Sequence, residues 1–430
     1  MNRTIKLLLI TTLIFVVKVN LSAQNTDALG TYTPYSMFGI GELSTQGTAY
    51  NIGMGGIGIG MRDNKYINYT NPAAITARDT LSFMLDFGII QKNFYNTDFK
   101  TKSAYNTFNV HNFAITVPIY RKSALIVGIA PFSDTGYKFQ STETDDKLVA
   151  EFGDIKYQKY GTGSIYQLFV GASMVFAKRF SVGAEFLYYF GNIDRNSNVL
   201  FNSAASTNNS IYTGWDYKLH SFSGKFGLQY EQPLKNDNKV ITAGVTYRMG
   251  NKLKGDYLRF GYTSSGDTLI NFSQNDVPIK IASEIGVGLS YKEINKWSVG
   301  VDYTYQDWQN SDFATTPGVN FDAMANHNIK AGFEYTPNKY DVRYYMKRIA
   351  YRGGAYYDAS YIGINGHQIS SFGITLGASL PIYRFYNAIS VAVDLGQRGF
   401  KSQHLVRERY VKFVINVNLH DIWFQKYRYE

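Results

Sequence analysis

The sequence predicts an all-β fold: a transmembrane antiparallel β-barrel of about fourteen strands, with an N-terminal segment inside its lumen as a hatch. Three observations carry this. Apolar residues alternate with small or polar ones in run after run, short and long connections take turns along the chain, and no stretch beyond the N-terminus approaches the roughly 18 apolar residues of a membrane helix.

The alternation is plainest between Asp276 and Gln309. Trp297, Val299, Val301, Tyr303 and Tyr305 share one side of a strand, and Ser298, Gly300, Asp302, Thr304 and Gln306 the other. Just before it, Ile285, Val287, Leu289 and Tyr291 alternate with Glu284, Gly286, Gly288, Ser290 and Lys292, and only Glu293 to Lys296 separates the two runs. One face is apolar and aromatic; the other is small or charged.

At the N-terminus, Arg3 and Lys6 flank the start of an apolar run from Ile5 to Val17, followed by Asn20-Leu-Ser-Ala23. This reads as a secretory signal peptide over residues 1–23, too short for the ~20 residues of a spanning helix. The chain has no cysteine, which excludes a lipoprotein anchor, disulfides and thiolate metal sites. Aromatics at 16%, Gly 39 against Pro 9, and a negative mean hydropathy suit strands whose apolar residues fill only alternate positions. The net charge of +10 falls to about +7 without Arg3, Lys6 and Lys18, and an exported basic chain meets anionic lipid before nucleic acid.

From 24 to 78 the alternation is absent. The stretch is rich in glycine and small polar residues, yet Tyr35, Met37, Phe38, Ile40, Met54, Ile57 and Ile59 give it enough apolar side chains to pack as an ordered unit. From 79 to 430 strands follow one another. Their markers are Leu81 to Ile89, Phe113 to Ile119, Ala124 to Lys138, Tyr166 to Phe176, Phe180 to Phe190, Phe222 to Tyr230, Ile241 to Tyr247, the two runs between Asp276 and Gln309, Ile329 to Tyr335, a less regular run from Val342 to Tyr357, Phe372 to Leu380, Ile389 to Leu395 and Val411 to Leu419. One further strand stands open near Gly255 to Phe272.

Connections after even-numbered strands read as short, among them Tyr120 to Ser123, Ala177 to Arg179, Glu293 to Lys296 and Thr336 to Tyr340; those after odd-numbered strands read as roughly ten to twenty-five residues. Sorted loops and an even count describe an outer-membrane barrel. The apolar face then meets lipid, with Trp297 and Trp423 near strand ends as interfacial aromatics. The inner face carries Gly88, Gly171, Gly183, Gly227, Gly244, Gly286, Gly300, Gly332, Gly373 and Gly377, with Asp86, Glu185, Arg248, Glu284, Glu334 and Asp394. A lumen of this width is not filled by its own side chains, so small residues leave room for residues 24–78, held by hydrogen bonds to the charges.

Enzyme motifs are absent or out of context. Gly53-Met-Gly55-Gly56-Ile-Gly58 has the spacing of a dinucleotide fingerprint, but no strand precedes it and no βαβ unit surrounds it. His111, His220, His327, His367, His404 and His420 are scattered, without metal-ligand spacing, and no G-x-S-x-G elbow occurs. We expect no catalysis, no cofactor and no metal.

The run from Gly41-Glu42-Leu43-Ser44 through the glycine-rich stretch to Asn71-Pro72-Ala73-Ala74 resembles the N-terminal hatch of FadL-type outer-membrane transporters of long-chain fatty acids and other hydrophobic compounds; Gly41 stands where that family usually has Asn. The segment Ala124 to Phe139 looks like the family's third strand, Val245-Thr-Tyr-Arg248 with Lys252 to Gly255 like its seventh, and Val277-Pro278 through Asp307-Trp308 like its next hairpin. The C-terminal Tyr427-Arg-Tyr-Glu430 departs from the terminal aromatic common in outer-membrane barrels.

The resemblance implies a barrel plugged by a hatch whose motif is Asn71, Pro72 and Ala73. Ligand would enter from outside and leave sideways into the membrane at the third strand, where Pro131, Phe132 and Gly136 form a lateral gate. Pro131 lacks an N–H, so within a strand it marks a bulge or gap. Inward-facing apolar residues then give the ligand-binding candidates: Phe38, Met84, Ile90, Phe132, Phe169, Leu187 and Tyr189. The implied partners are a hydrophobic small molecule and outer-membrane lipid and lipopolysaccharide, with no nucleic acid. The alternative is a docking or scaffold subunit of an outer-membrane secretion or assembly complex, working with protein partners through long Tyr-rich loops. A lipid hydrolase, the third class, finds no motif.

Overall fold

The computed structural model describes residues 29–78, 82–98, 101–120, 122–201, 208–234, 238–275, 279–311, 313, 320–383, 387–400 and 405–422. The signal peptide, Leu81, Trp423, His404, Val277-Pro278 and the C-terminal Tyr427 to Glu430 lie outside them.

Period-two segments become strands, and each pairs antiparallel with its neighbours in sequence. The first half of the wall is β1 (Ser82–Thr97), β2 (Lys102–Pro118), β3 (Ser123–Thr142), β4 (Ile155–Phe176), β5 (Phe180–Phe201), β6 (Ile211–Pro233) and β7 (Lys239–Arg248). The second half is β8 (Glu284–Glu293), β9 (Trp297–Gln306), β10 (Asn326–Tyr335), β11 (Ala350–Ile364), β12 (His367–Tyr383), β13 (Asn387–Arg398) and β14 (Arg407–Ile422). Pairing of β14 with β1, from Ser82↔Ile422 to Thr97↔Arg407, closes the ring of 14 strands. Closure removes the free edges that an open sheet would expose.

Side-chain exposure fixes the inside. On β9, Val299, Val301 and Tyr303 are exposed while Ser298 and Asp302 are buried, and the same inversion of a soluble core runs around the wall. Trp297, at the end of β9, packs on Tyr291 and donates its indole N–H to Glu293, as an interfacial aromatic does.

The wall is taller on one side. β7 to β10 have 10 residues each, about the length needed to cross, whereas β4, β5 and β6 have 22, 22 and 23. The segment near Gly255 to Phe272 is a hairpin, Lys254–Thr263 and Thr268–Asn275, laid along the upper part of β6 and outside the ring of 14.

Two expectations about connections fail. Only residues 98–101 join β1 to β2, and only Asn365 and Gly366 join β11 to β12, where long loops were expected. Those strands continue beyond the stretches that carry the regular alternation, with polar residues interspersed among apolar ones such as Phe108, Val110 and Ile362. Conversely, β11 starts at Ala350 rather than Val342, so the link after β10 is an ordered 336–349 loop and not a short turn.

Candidate functional site

Inside the ring sit residues 29–78. They hold little regular structure: a turn of 3-10 helix at Pro34–Met37, one helical turn at Ala49–Ile52, and a 3-10 segment at Pro72–Ala77. Side chains from the wall replace the missing backbone ladder. The Asp302 carboxylate on β9 accepts from the Gly58 and Ile59 amides at 2.6 and 2.8 Å, Thr375 accepts from Gly55 at 2.8 Å, and Lys292 donates to the Arg62 carbonyl at 2.7 Å. Gln229 donates to the Ile59 carbonyl and Lys225 to that of Tyr69.

The inward glycines mark where this backbone touches the wall. A Cβ on Gly244 would run into the Ile59 carbonyl, one on Gly332 into Met54, and one on Gly183 or Gly227 into Pro72 or Asn71. Asn71, from the motif read in the sequence, caps its own turn by accepting from the Ala73 amide at 3.0 Å and donates to the Ile59 carbonyl at 2.9 Å. It thus ties the end of the segment to its glycine-rich centre. Of the luminal charges expected to hold the segment, Arg248 and Glu284 pair with each other, Glu334 pairs with Arg352, and Asp86 accepts from Asn112. The residues that do hold it, Asp302 above all, share their parity but not their place in that set.

The wall is not continuous. The ladder between β2 and β3 runs only from Pro118↔Ala124 to Phe113↔Ile129, while β3 stays paired to β4 over its whole length. Two bulges bracket the end of the ladder: His111 is the extra residue of β2 between Asn112 and Val110, and Phe132 that of β3 between Pro131 and Ser133. Beyond them the β3 edge turns to the N-terminal segment. Glu42 and Leu43 pair with Asp134 and Ser133, the Ser44 amide donates to Phe132 O at 2.9 Å, and the Gln46 side chain to Pro131 O at 3.0 Å. Gly136 receives the Thr33 amide at 2.9 Å, and its own amide donates to Ser36 Oγ at 3.0 Å. Pro131, Phe132 and Gly136 therefore all lie on the edge that the inner segment covers. Across the break, His111 reaches Gly47 O at 2.7 Å.

Glu42 anchors this inner strand. Arg398 approaches its carboxylate at 2.6 Å, Lys412 at 3.9 Å and the Thr31 hydroxyl at 2.5 Å. Asp134 is held by Lys92 at 3.1 Å, and Ser44 Oγ lies 3.0 Å from it.

The ligand-binding candidates all point inward and are all buried, but they enclose no common pocket. Phe38, Met84, Phe132, Phe169, Leu187 and Tyr189 belong to one packed cluster that includes Ile67, Tyr69, Trp308 and Tyr361; Ile90 lies in a separate one with Ala49, Ile52 and Val414. Phe132 packs on Tyr189 at 4.7 Å and under the Arg248 guanidinium, and Tyr69 stacks on Phe169 at 5.1 Å. Parity finds a face; it does not say what covers that face.

The space left has one apolar and one charged side. A cavity of about 180 Å3 lies between Phe169, Leu187, Ile362 and Ile369 on its apolar side and Glu185, Lys225, Glu284, Lys330, Asp358 and Arg398 on its charged side. Glu185 Oε1, Arg248 Nε and Asn328 Oδ1 at its rim have no hydrogen-bond partner within the protein, so they suit contact with water. A smaller cavity of about 30 Å3, lined by Lys92, Val110, His111, Pro131 and Tyr166, sits at the break. Among the described residues no group of three or more acidic or histidine side chains gathers as a metal site.

Comparison with known proteins places this geometry. The solved structures with a similar fold include the Ralstonia pickettii toluene transporter TbuX, with TM-score 0.59 and 15% identity over 87% of this chain and 98% of that one. The Pseudomonas putida toluene transporter TodX follows at 0.55 and 13% over 89% and 100%, and a Pseudomonas aeruginosa FadL homologue at 0.53 and 12% over 88% and 99%. At such identities the likeness is one of fold, and it fixes the chain as a multi-pass β-barrel of the outer membrane. No curated protein matches. A family match covers residues 4–430, nearly the whole sequence: the chain belongs to the BamG family.

Proposed function

We propose that this barrel acts as a docking subunit of an outer-membrane assembly complex, with residues 24–78 as a hatch that keeps its lumen shut. The observation that carries the reading is the packing of the apolar lumen. Six of the seven positions suited to a hydrophobic ligand, from Phe38 to Tyr189, belong to one packed cluster with hatch residues such as Ile67 and Tyr69, and the space that remains has charged side chains along one side. The family's name points to assembly as well. Asn71, Pro72 and Ala73 lock the hatch, and the chain does no catalysis.

The test is depletion. If the reading holds, loss of the chain lowers the amounts of other β-barrel proteins in the outer membrane, and the chain purified in mild detergent carries large outer-membrane partners in fixed ratio. Normal barrel levels after depletion would contradict it.

A second reading rests on the break between β2 and β3. There the chain is a channel for passive uptake of hydrophobic small molecules, long-chain fatty acids among them, with Pro131, Phe132 and Gly136 as a lateral gate that opens when the hatch strand Glu42–Leu43 leaves the β3 edge. The fold neighbours named as toluene transporters favour it. Faster entry of toluene or oleate into vesicles holding the purified chain, against empty vesicles, would support the channel; equal entry would remove it.

A further inference from the structure

The loop 336–349 is the longest connection on the short-turn rim, and it is built rather than slack. The Asp341 carboxylate accepts from the Arg343 and Tyr344 amides at 2.9 and 2.6 Å and pairs with Lys347 at 3.5 Å, and the Asn338 amide donates to Lys347 O at 2.8 Å. A short 3-10 turn, Tyr345–Arg348, completes it. This scaffold holds apolar side chains in the open: Val342 is 93% exposed, Met346 63% and Tyr340 58%. Cations interleave with them. Lys339 lies over Tyr340, Arg343 and Lys347 over Tyr344, and Arg348 over Tyr345.

Two contacts say where the loop lies. The Tyr351 hydroxyl, on the lipid-facing side of β11, donates to Met346 O at 3.1 Å, and the Tyr345 hydroxyl donates to Pro381 O at 3.0 Å, beside the exposed Ile382 of β12. The 3-10 turn is thus fastened to the outer surface of the wall, at the level where strands end. Apolar side chains there find acyl chains, and cations just beside them find phosphate. A docking face for a periplasmic protein would point away from the bilayer instead.

We propose that the loop 336–349 is a binding site for an anionic phospholipid of the inner leaflet, with Val342 and Met346 in the acyl region and Arg343 and Lys339 on the headgroup phosphate. Arg343 suits this role because a guanidinium resting on a ring keeps its in-plane N–H groups for a bidentate phosphate contact.

The absence of cysteine makes the test clean. Val342→Cys, labelled with an environment-sensitive fluorophore, is reconstituted into vesicles with brominated phosphatidylglycerol or brominated phosphatidylcholine. Leu148→Cys, on the opposite rim, is the control. The proposal expects a blue-shifted Val342 probe, quenched more by the brominated glycerol lipid than by the choline lipid. Arg343→Gln should lower that preference about fivefold, and Arg343→Lys should keep part of it. A probe quenched by aqueous iodide in both vesicles would overturn the proposal and turn the loop into a protein-docking face. Equal quenching by both lipids would overturn the headgroup selectivity. Folded barrel on unheated gels shows that each variant has assembled.

Discussion

Glu42 carries more of the inner segment's attachment than its two-residue strand suggests. Its carboxylate faces Arg398, Lys412 and Thr31 and is buried, and Arg398 also lies 3.4 Å from Glu408 and over the Tyr410 ring. Removing one member of a buried ion pair strands the other, at about 3–5 kcal/mol. Glu42→Gln should therefore lower the urea midpoint of barrel unfolding. A second residue-scale expectation concerns Gly244, where a methyl would press on the Ile59 carbonyl. Gly244→Ala should cost about 1–3 kcal/mol through overpacking and make residues 55–62 more open to protease. The glycines were legible in the sequence because their side is set by parity and their smallness needs a reason. Their partners were not, since nothing in a one-dimensional pattern says that Ile59 rather than a ligand stands opposite Gly244.

At the scale of elements, the break between β2 and β3 and the inner strand are one device: the edge that β2 gives up is taken by Glu42–Leu43 and its neighbours. Ser44→Pro removes the amide that reaches Phe132 O and leaves a buried carbonyl without a donor, so it should loosen the inner strand by roughly 1–3 kcal/mol. Faster amide exchange at residues 42–46, with the β4–β5 ladder unchanged, is the expected readout. The loop 336–349 adds a pH dependence. Backbone amides of Tyr344 and Arg343, with Lys347 beside them, hold the Asp341 carboxyl below its ordinary value. A depressed folded pKa gives order that is present above the unfolded pKa and lost as pH falls through the folded one. The loop's amides should therefore lose protection, measured against the intrinsic exchange rate at each pH, as the pH falls, while the strands keep theirs. Pro131 announced the bulge, because proline cannot complete a ladder. The tall end of β2 was less legible, because between Lys102 and His111 Asn106 interrupts the parity that Ala104, Phe108 and Val110 keep.

For the whole molecule, strand number and inside-out orientation follow from two patterns any reader of the sequence can check, alternation and connection length. The first held for every strand of the ring; the second held only in part, since two long-side connections are tight and one short-side connection is long. What the pattern could not give is occupancy. A wide barrel with a glycine face is compatible with a conduit or a stopper, and the difference lies in contacts between segments hundreds of residues apart, such as Gly58 with Asp302 or Tyr361 with Gly41. The contacts from the wall predict that residues 29–78 are fastened inside the barrel as firmly as the wall is to itself. Hydrogen exchange of the full chain in lipid measures this directly. The amides of Gly55, Gly58 and Ile59, bonded to Thr375 and Asp302, should be protected to the same degree as those in the centre of β9. Exchange of these three within seconds, with β9 still protected, would contradict it.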